Sequence, residues 1–302
     1  MTPSASLRDV APRDVPRPTV SVIIPALNEA RNLPHVAAGM PAGIDEIVVV
    51  DGGSQDDTVA VAQRLWPDAI HIRQTRKGKG NALTCGFAVA TGDIIVAIDA
   101  DGSTDPAEIP RFVSALVAGA DFAKGSRFID GGGSHDITRI RRAGNWCLNA
   151  LVNVLFSTKY TDLCYGYNAF WRRCLDVIDL PDIDSLDSQW GDGFEIETMV
   201  NVRVVARGLT IAEVHSHEAN RIHGESNLNA VRDGLRVLRT IVSEFHSHKT
   251  PIRRRTMPVD SLDLERTPAK VIPFGAVLSR RLSQRGVGGL GVTGVHANRK
   301  EA

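Results

Sequence analysis

The sequence predicts an α/β fold with a mostly parallel sheet covered by helices on both faces, and three features point to it. Apolar, β-rich runs alternate with helix-like stretches from residue 19 onward. Two runs end alike: VVVDGGSQDD at 48–57 and VAIDADGSTD at 96–105 both pass through an aspartate into a glycine-containing turn. A chain of 302 residues, 43% hydrophobic and 23% charged, is also long and apolar enough for one large core.

Each element follows in order. TVSVIIPAL (19–27) is a strand that breaks at Pro25, and NEARNLPHVAAGM (28–40) is helical with Asn28 as its candidate cap. DEIVVVDGGSQDDTVAVAQRL (45–65) repeats the unit, with a strand over 47–50, Ser54 as cap and a helix from about Gln55. AIHIR (69–73) is a third strand, KGKGNALTCGFAVATG (77–92) a glycine-started helix and DIIVAID (93–99) a fourth strand. Asp105, Pro106 and Glu108 read as an N-cap, a first-turn proline and a capping-box acid. FAKGSRFIDGGGSHD (122–136) gives a strand and then a three-glycine loop suited to a mobile lid. Residues 191–208 are helical, 209–218 form a returning strand, and 232–248 are an amphipathic helix.

The termini read differently. Residues 1–18 have prolines and charges but no apolar h-region, so a disordered leader is expected. Residues 249–302 begin with an arginine run and turn to Pro, Ser and Gly, which predicts a basic, largely disordered tail. The most apolar later stretch, CLNALVNVLF (147–156), falls short of the roughly 20 residues of a spanning helix.

Thirty-five basic and 35 acidic residues balance, which removes a whole-chain electrostatic case for a nucleic-acid partner. Cys85, Cys147, Cys164 and Cys174 form no C-x-x-C pair, so reduced thiols in a cytoplasmic protein are expected.

In open α/β sheets ligands bind beyond the carboxyl ends of the strands, so Asp51, Asp99 and Asp101 are expected to converge on one cleft. An EF-hand loop is excluded for D-x-D, because the glycine is fourth and the twelfth residue is Pro110. Walker A and G-x-S-x-G motifs are absent, and no G-x-G-x-x-G follows the first strand. Two carboxylates at a strand end suit Mg²⁺ or Mn²⁺ together with substrate phosphates.

PALNEA (25–30), DGGSQDDT (51–58), KGKGNAL (77–83), DADGS (99–103), KGSRF (124–128) and RIHGESNL (221–228) together resemble family 2 glycosyltransferases of GT-A fold. The pattern is nearest to the polyprenyl-phosphate (dolichol-phosphate) mannosyl- and glucosyltransferases and covers roughly residues 19–245. The resemblance implies a GT-A catalytic domain over 19–248, with 19–128 binding the nucleotide-sugar and 129–248 the acceptor. Pro25, Ala26, Leu27, Glu29 and Asp51 would hold base and ribose. Asp99, Ala100 and Asp101 would hold metal and diphosphate, with Lys79 and Lys77 balancing phosphate charge. GDP-mannose and UDP-glucose are both compatible donors.

The acceptor decides the remaining chemistry. A hydroxyl needs a general base, whereas a phosphate monoester is already an anion and needs cations. Arg127 and Arg221, with Ser226, match positions that relatives use to hold a lipid phosphate, which favours the phosphate acceptor. Glu195 lies where other family 2 enzymes carry a catalytic Asp and the polyprenyl enzymes tend to carry Gln; this keeps a soluble hydroxyl acceptor as the alternative. Among His215, His217 and His223, His217 is the first candidate for a third metal ligand. A non-catalytic nucleotide-sugar-binding module and a nucleotidyltransferase rank lower. The apolar stripe Leu235, Leu238, Ile241, Val242 and Phe245 is expected to pack against the catalytic domain, and the arginines at 253–255 that follow it leave peripheral contact with the inner face of a membrane as a second reading that can coexist with the first.

Overall fold

The computed structural model describes residues 17–224, 230–248 and 272–273. The first half alternates as expected: β1 (Val20–Ala26), α1 (Leu33–Gly39), β2 (Glu46–Asp51), α2 (Thr58–Leu65), β3 (Ile70–Arg73), α3 (Lys79–Val89), β4 (Ile94–Ala97), α4 (Ile109–Val117) and β5 (Phe122–Ser126). The second half adds β6 (Gly133–Ser134), α5 (Arg139–Phe156), β7 (Asn168–Trp171), α6 (Leu175–Ile178), α7 (Glu195–Ala206), β8 (Ile211–His215), β9 (His217–Glu218), α8 (Ala230–His248) and β10 (Ile272–Pro273). The main sheet runs β10-β3-β2-β1-β4-β7-β5-β8 and is parallel except at β7, which lies antiparallel between β4 and β5.

Both faces of this sheet are buried at its centre, which is why β1, β2 and β4 are nearly continuous apolar runs. Successive residues of β1 serve opposite faces. Val22 and Ile24 pack with Val96 and Phe112 on one side; Ile23 packs with Val48, Ile95 and Ile196 on the other. A third cluster, with Val152, Val202, Val237 and Ile241, lies among α5, α7 and α8.

Several local expectations change. Asn28 does not cap α1; it takes a left-handed φ of 58° and its Oδ1 accepts from the Gln55 amide, tying the end of β1 to the loop after β2. Ser54 does not cap α2, which starts at Thr58, because its hydroxyl accepts from the Asn28 amide. Asp105 does cap a 3-10 turn, accepting from the Ala107 amide at 2.9 Å. The three-glycine segment is no free lid, since β6 pairs parallel with β9.

The stripe on α8 is divided. Ile241 is fully buried, whereas Leu235, Leu238 and Val242 are exposed. Most of the leader and tail, including the arginines at 253–255, lies outside the described residues, and β10 is a short strand where the sequence reading expected none.

Candidate active site

β1, β2 and β4 run parallel and end side by side, which brings PALNEA, DGGS and DADGS to one edge of the sheet. Asp101 shapes its own turn by accepting from the Ser103 amide at 2.9 Å and the Ser103 hydroxyl at 2.6 Å. Gly102 has φ of 78°, and a β-carbon there would sit 2.6 Å from Ile222 Cδ1. Only glycine meets both the backbone angle and the approach of the 221–222 segment.

Cations already meet these carboxylates. Lys79 Nζ lies 2.6 Å from Asp99 Oδ1 and 2.6 Å from Glu197 Oε1. Burial opposes the lysine charge, but Asp99 and Glu197 outweigh it and hold the amine above its ordinary pKa. Burial pushes Asp99 up to about 6 despite Lys79, with Asp101 and Glu197 adding like charge. Arg221 lies 2.9 Å from Asp101 Oδ2 and 2.7 Å from Glu29 Oε1. Its pKa is also raised, because Asp101 and Glu29 more than offset its burial. Glu29 is fixed in turn, since its amide donates to Thr58 Oγ1 and Asn32 donates to its other oxygen.

This donor set fits a hard divalent cation, because neighbouring carboxylates short of positive charge meet at a strand end. His217 does not complete a shell. Its backbone donates to Glu108 and its ring lies against His135, with centroids 4.6 Å apart. Among the described residues no three His, Cys, Asp or Glu side chains converge as a metal cluster.

On the expected nucleoside side, the Asp51 oxygens accept from the Gly53 and Ser54 amides at 3.1 and 2.9 Å, so the carboxylate also builds its loop. Pro25 and Ala26 close β1, Ala100 is buried behind the D-x-D turn, and Leu27 is exposed beside Gly52. Arg73, which the sequence reading passed over, pairs in register with Asp51, and its guanidinium reaches the Gly53 turn. Lys77 is exposed.

The glycines of KGKGNAL serve packing. The carbonyl of Asp192 accepts from the Gly80 amide at 2.8 Å and the Asn81 amide at 3.2 Å, so the start of α3 is capped by the 191–193 loop. Arg76 anchors that loop with two bonds to Asp192, of 2.9 and 2.8 Å.

Two expected acceptor-side residues lie in the interior. Arg127 has a side chain only 3% exposed; it makes two bonds to Asp162 (2.7 and 2.9 Å) and one to Glu218 (2.9 Å). Its charge is thus neutralised within the protein and ties the 127–134 segment to β9. Glu195 is 1% exposed, accepts from the Gly191 and Gly193 amides, and pairs with Arg236 of α8 at 3.0 Å. A base must reach the proton it removes. Glu195 instead braces the start of α7, and Glu197, two residues on, is the carboxylate that joins Lys79 and Asp99. The sequence offered Glu195 as a general base and did not single out Glu197; their partners, Arg236 and Lys79, lie 41 and 118 residues away. Ser226 lies outside the described residues.

A family model described as glycosyl transferase family 2 matches residues 21–178. The chain is 33% identical to a polyprenol monophosphomannose synthase of Mycolicibacterium smegmatis, over 70% of this chain and 83% of that protein. It is 32% identical to an undecaprenyl-phosphate mannosyltransferase of Micrococcus luteus, over 70% and 87% respectively. Among solved structures it is similar to glucosyl-3-phosphoglycerate synthase from Mycobacterium tuberculosis in complex with Mn²⁺, UDP and glucosyl-3-phosphoglycerate. That match has a TM-score of 0.58 and 26% identity, and covers 76% of this chain and 80% of the other.

Proposed function

The chain belongs to glycosyl transferase family 2 and is a glycosyltransferase; from that premise we propose that it moves a hexose from GDP-mannose or UDP-glucose to a polyprenyl phosphate, with Mg²⁺ or Mn²⁺ as cofactor. The observation that carries this reading is the Lys79–Asp99 and Arg221–Asp101 pairing at the strand ends, where Glu197 and Glu29 share the same two cations and leave the carboxylates short of positive charge, a deficit that a divalent ion would make good. Relatives named for polyprenyl-phosphate mannosyl transfer support the acceptor class.

Residues 19–128 supply the donor side, with Asp51, Pro25, Ala26 and Leu27 around the nucleoside. Residues 129–248 supply the acceptor side, though Arg221 reaches back to Asp101 and Glu197 to Lys79. Asp99 and Asp101 would hold the divalent ion, which stabilises charge on the departing diphosphate. Lys79, freed from one carboxylate, would turn to the phosphates, and Glu197 keeps its amine in place. Arg221 stands at the junction of donor and acceptor. It needs no proton transfer to do its part, because a phosphate monoester attacks as an anion. Arg127 contributes by position, holding the segment that leads from β5 to α5. A lipid-linked acceptor would bring the protein to the inner face of the membrane from the cytoplasm.

The solved neighbour supports a second reading, transfer to the hydroxyl of a small phosphorylated acid. Sealing of Glu195 counts against that residue as the base such an acceptor needs.

The test is nucleotide release from each donor with Mg²⁺ or Mn²⁺, alone, with polyprenyl phosphate, or with phosphoglyceric acid. Polyprenyl phosphate alone should stimulate release. Stimulation by phosphoglyceric acid alone would replace the proposal with the second reading.

A further inference from the structure

Lys79, the cation that meets Asp99, is set by a loop from the other half of the chain. It is the first residue of α3, between Gly78 and Gly80, and that helix start has no side-chain cap. The first amides of a helix lack partners within it, and here those of Gly80 and Asn81 donate to the Asp192 carbonyl. Gly78 has φ of 122°, and a β-carbon on it would collide with the same carbonyl. The backbone on both sides of Lys79 is therefore seated against Asp192. The same loop runs on into α7, whose third residue, Glu197, accepts from Lys79 Nζ at 2.6 Å. One loop thus sets both the root of the lysine and the carboxylate that steadies its amine.

The loop is held from two sides. Arg76, with a side chain 4% exposed, makes four hydrogen bonds to described residues. Its Nε and Nη2 donate to the two oxygens of Asp192 at 2.9 and 2.8 Å, and its Nη1 donates to the carbonyls of Asp182 and Ser185 at 2.8 and 2.6 Å. The Arg76 amide also donates to Asn81 Oδ1 at 2.7 Å, which ties the residue to α3. On the far side Trp190 Nε1 donates to Thr240 Oγ1 of α8 at 3.1 Å, and the Arg239 guanidinium lies 4.7 Å from the indole centroid. A buried ion pair adds little net stability over an apolar replacement, so the property to account for is its fixed direction. A planar guanidinium supplies that direction, because its N–H groups form a rigid fork.

We propose that Arg76 and Asp192 are positioning residues for Lys79: their fork fixes the 189–193 loop, and the Asp192 carbonyl then fixes the helix start that aims the amine at the diphosphate of a bound nucleotide. The inference rests on the reading of Lys79 as a diphosphate contact. Both side chains are buried and bonded to each other, so their effect on nucleotide binding passes through the loop.

The test is a double-mutant cycle on the full chain, read as GDP and UDP affinity by isothermal titration with Mg²⁺ in excess, with thermal midpoints on the same preparations. Lys79→Met should weaken the tighter-binding nucleotide by about tenfold or more, the loss of one charge-assisted contact to phosphate. Arg76→Gln should cost about tenfold in the unmodified background and less than about twofold once Lys79 is replaced, because the group it positions is gone. If Arg76→Gln alone is unfolded at the titration temperature, Arg76→Gln with Asp192→Asn, which removes the buried carboxylate along with its partner, takes its place in the cycle. Equal losses in both backgrounds, or no loss in the unmodified one, overturn the proposal and leave the donor reading standing. Lys79→Met binding as tightly as the unmodified chain overturns it as well, by removing Lys79 from the phosphates. If neither GDP nor UDP binds the unmodified chain, the donor reading fails and takes the proposal with it.

Discussion

Asp101 and Arg127 are both charged and both paired, yet removing them should have different effects. Asp101 lies at the cleft with Arg221 as its partner, and Arg221 retains Glu29 if the carboxylate is lost. Asp101→Ala should therefore lower transfer by about two orders of magnitude or more, while the urea midpoint changes little. Arg127→Ala leaves Asp162, which is fully buried, and Glu218 without their cation. Uncompensated buried charge costs about 3–5 kcal/mol, so this variant should unfold at markedly lower denaturant. His71 gives the pH dependence. It is buried, its ring nitrogen bonds the Trp66 carbonyl at 3.0 Å, and burial lowers its pKa. A base with a depressed folded-state pKa stabilises fully above its unfolded value of about 6.5 and loses that contribution as pH falls below it. The contribution of His71 should thus be lost as pH falls below about 6.5, and His71→Gln should flatten that part of the slope in thermal unfolding.

At the scale of elements, α3 shows how a motif can have two uses. Its lysine meets the D-x-D carboxylate, while its glycine admits another loop. A β-carbon on Gly80 would lie 1.8 Å from the Gly191 carbonyl oxygen and 2.8 Å from Ile196 Cβ. Gly80→Ala, ordinarily favourable in a helix, should here cost about 1–3 kcal/mol through forced displacement. It should also reduce nucleotide release, since Lys79 precedes it; denaturation and donor kinetics on one preparation check both. α5 and β7 were not legible as elements. β7 is short and lies antiparallel in a parallel sheet, so no strand-helix alternation announces it. α5 has an exposed apolar side and buried asparagines, the reverse of the pattern that marks a surface helix.

For the whole molecule, the carboxylates that a metal would use already have cationic partners, Lys79 and Arg221, before any donor binds. A chelator should therefore abolish transfer, with recovery on adding Mg²⁺ or Mn²⁺, while leaving the thermal midpoint unchanged; a chelator-induced loss of fold would assign the ion a structural role. By itself the sequence determined the alternating α/β order, the strand ends where acid collects, the Asp105 cap and the family motifs. All of these are short-range patterns, set by side-chain period, turn chemistry and neighbours within a few residues. Only the tertiary structure decided which charges face the cleft. Arg127 finds Asp162 and Glu218 at separations of 35 and 91 residues, and Lys79 finds Glu197 at 118. The division of the α8 stripe into buried Ile241 and exposed Leu235 depended likewise on α5 and α7. A side chain's local pattern states that it is charged or apolar; whether it is buried and paired depends on segments that chain topology brings beside it.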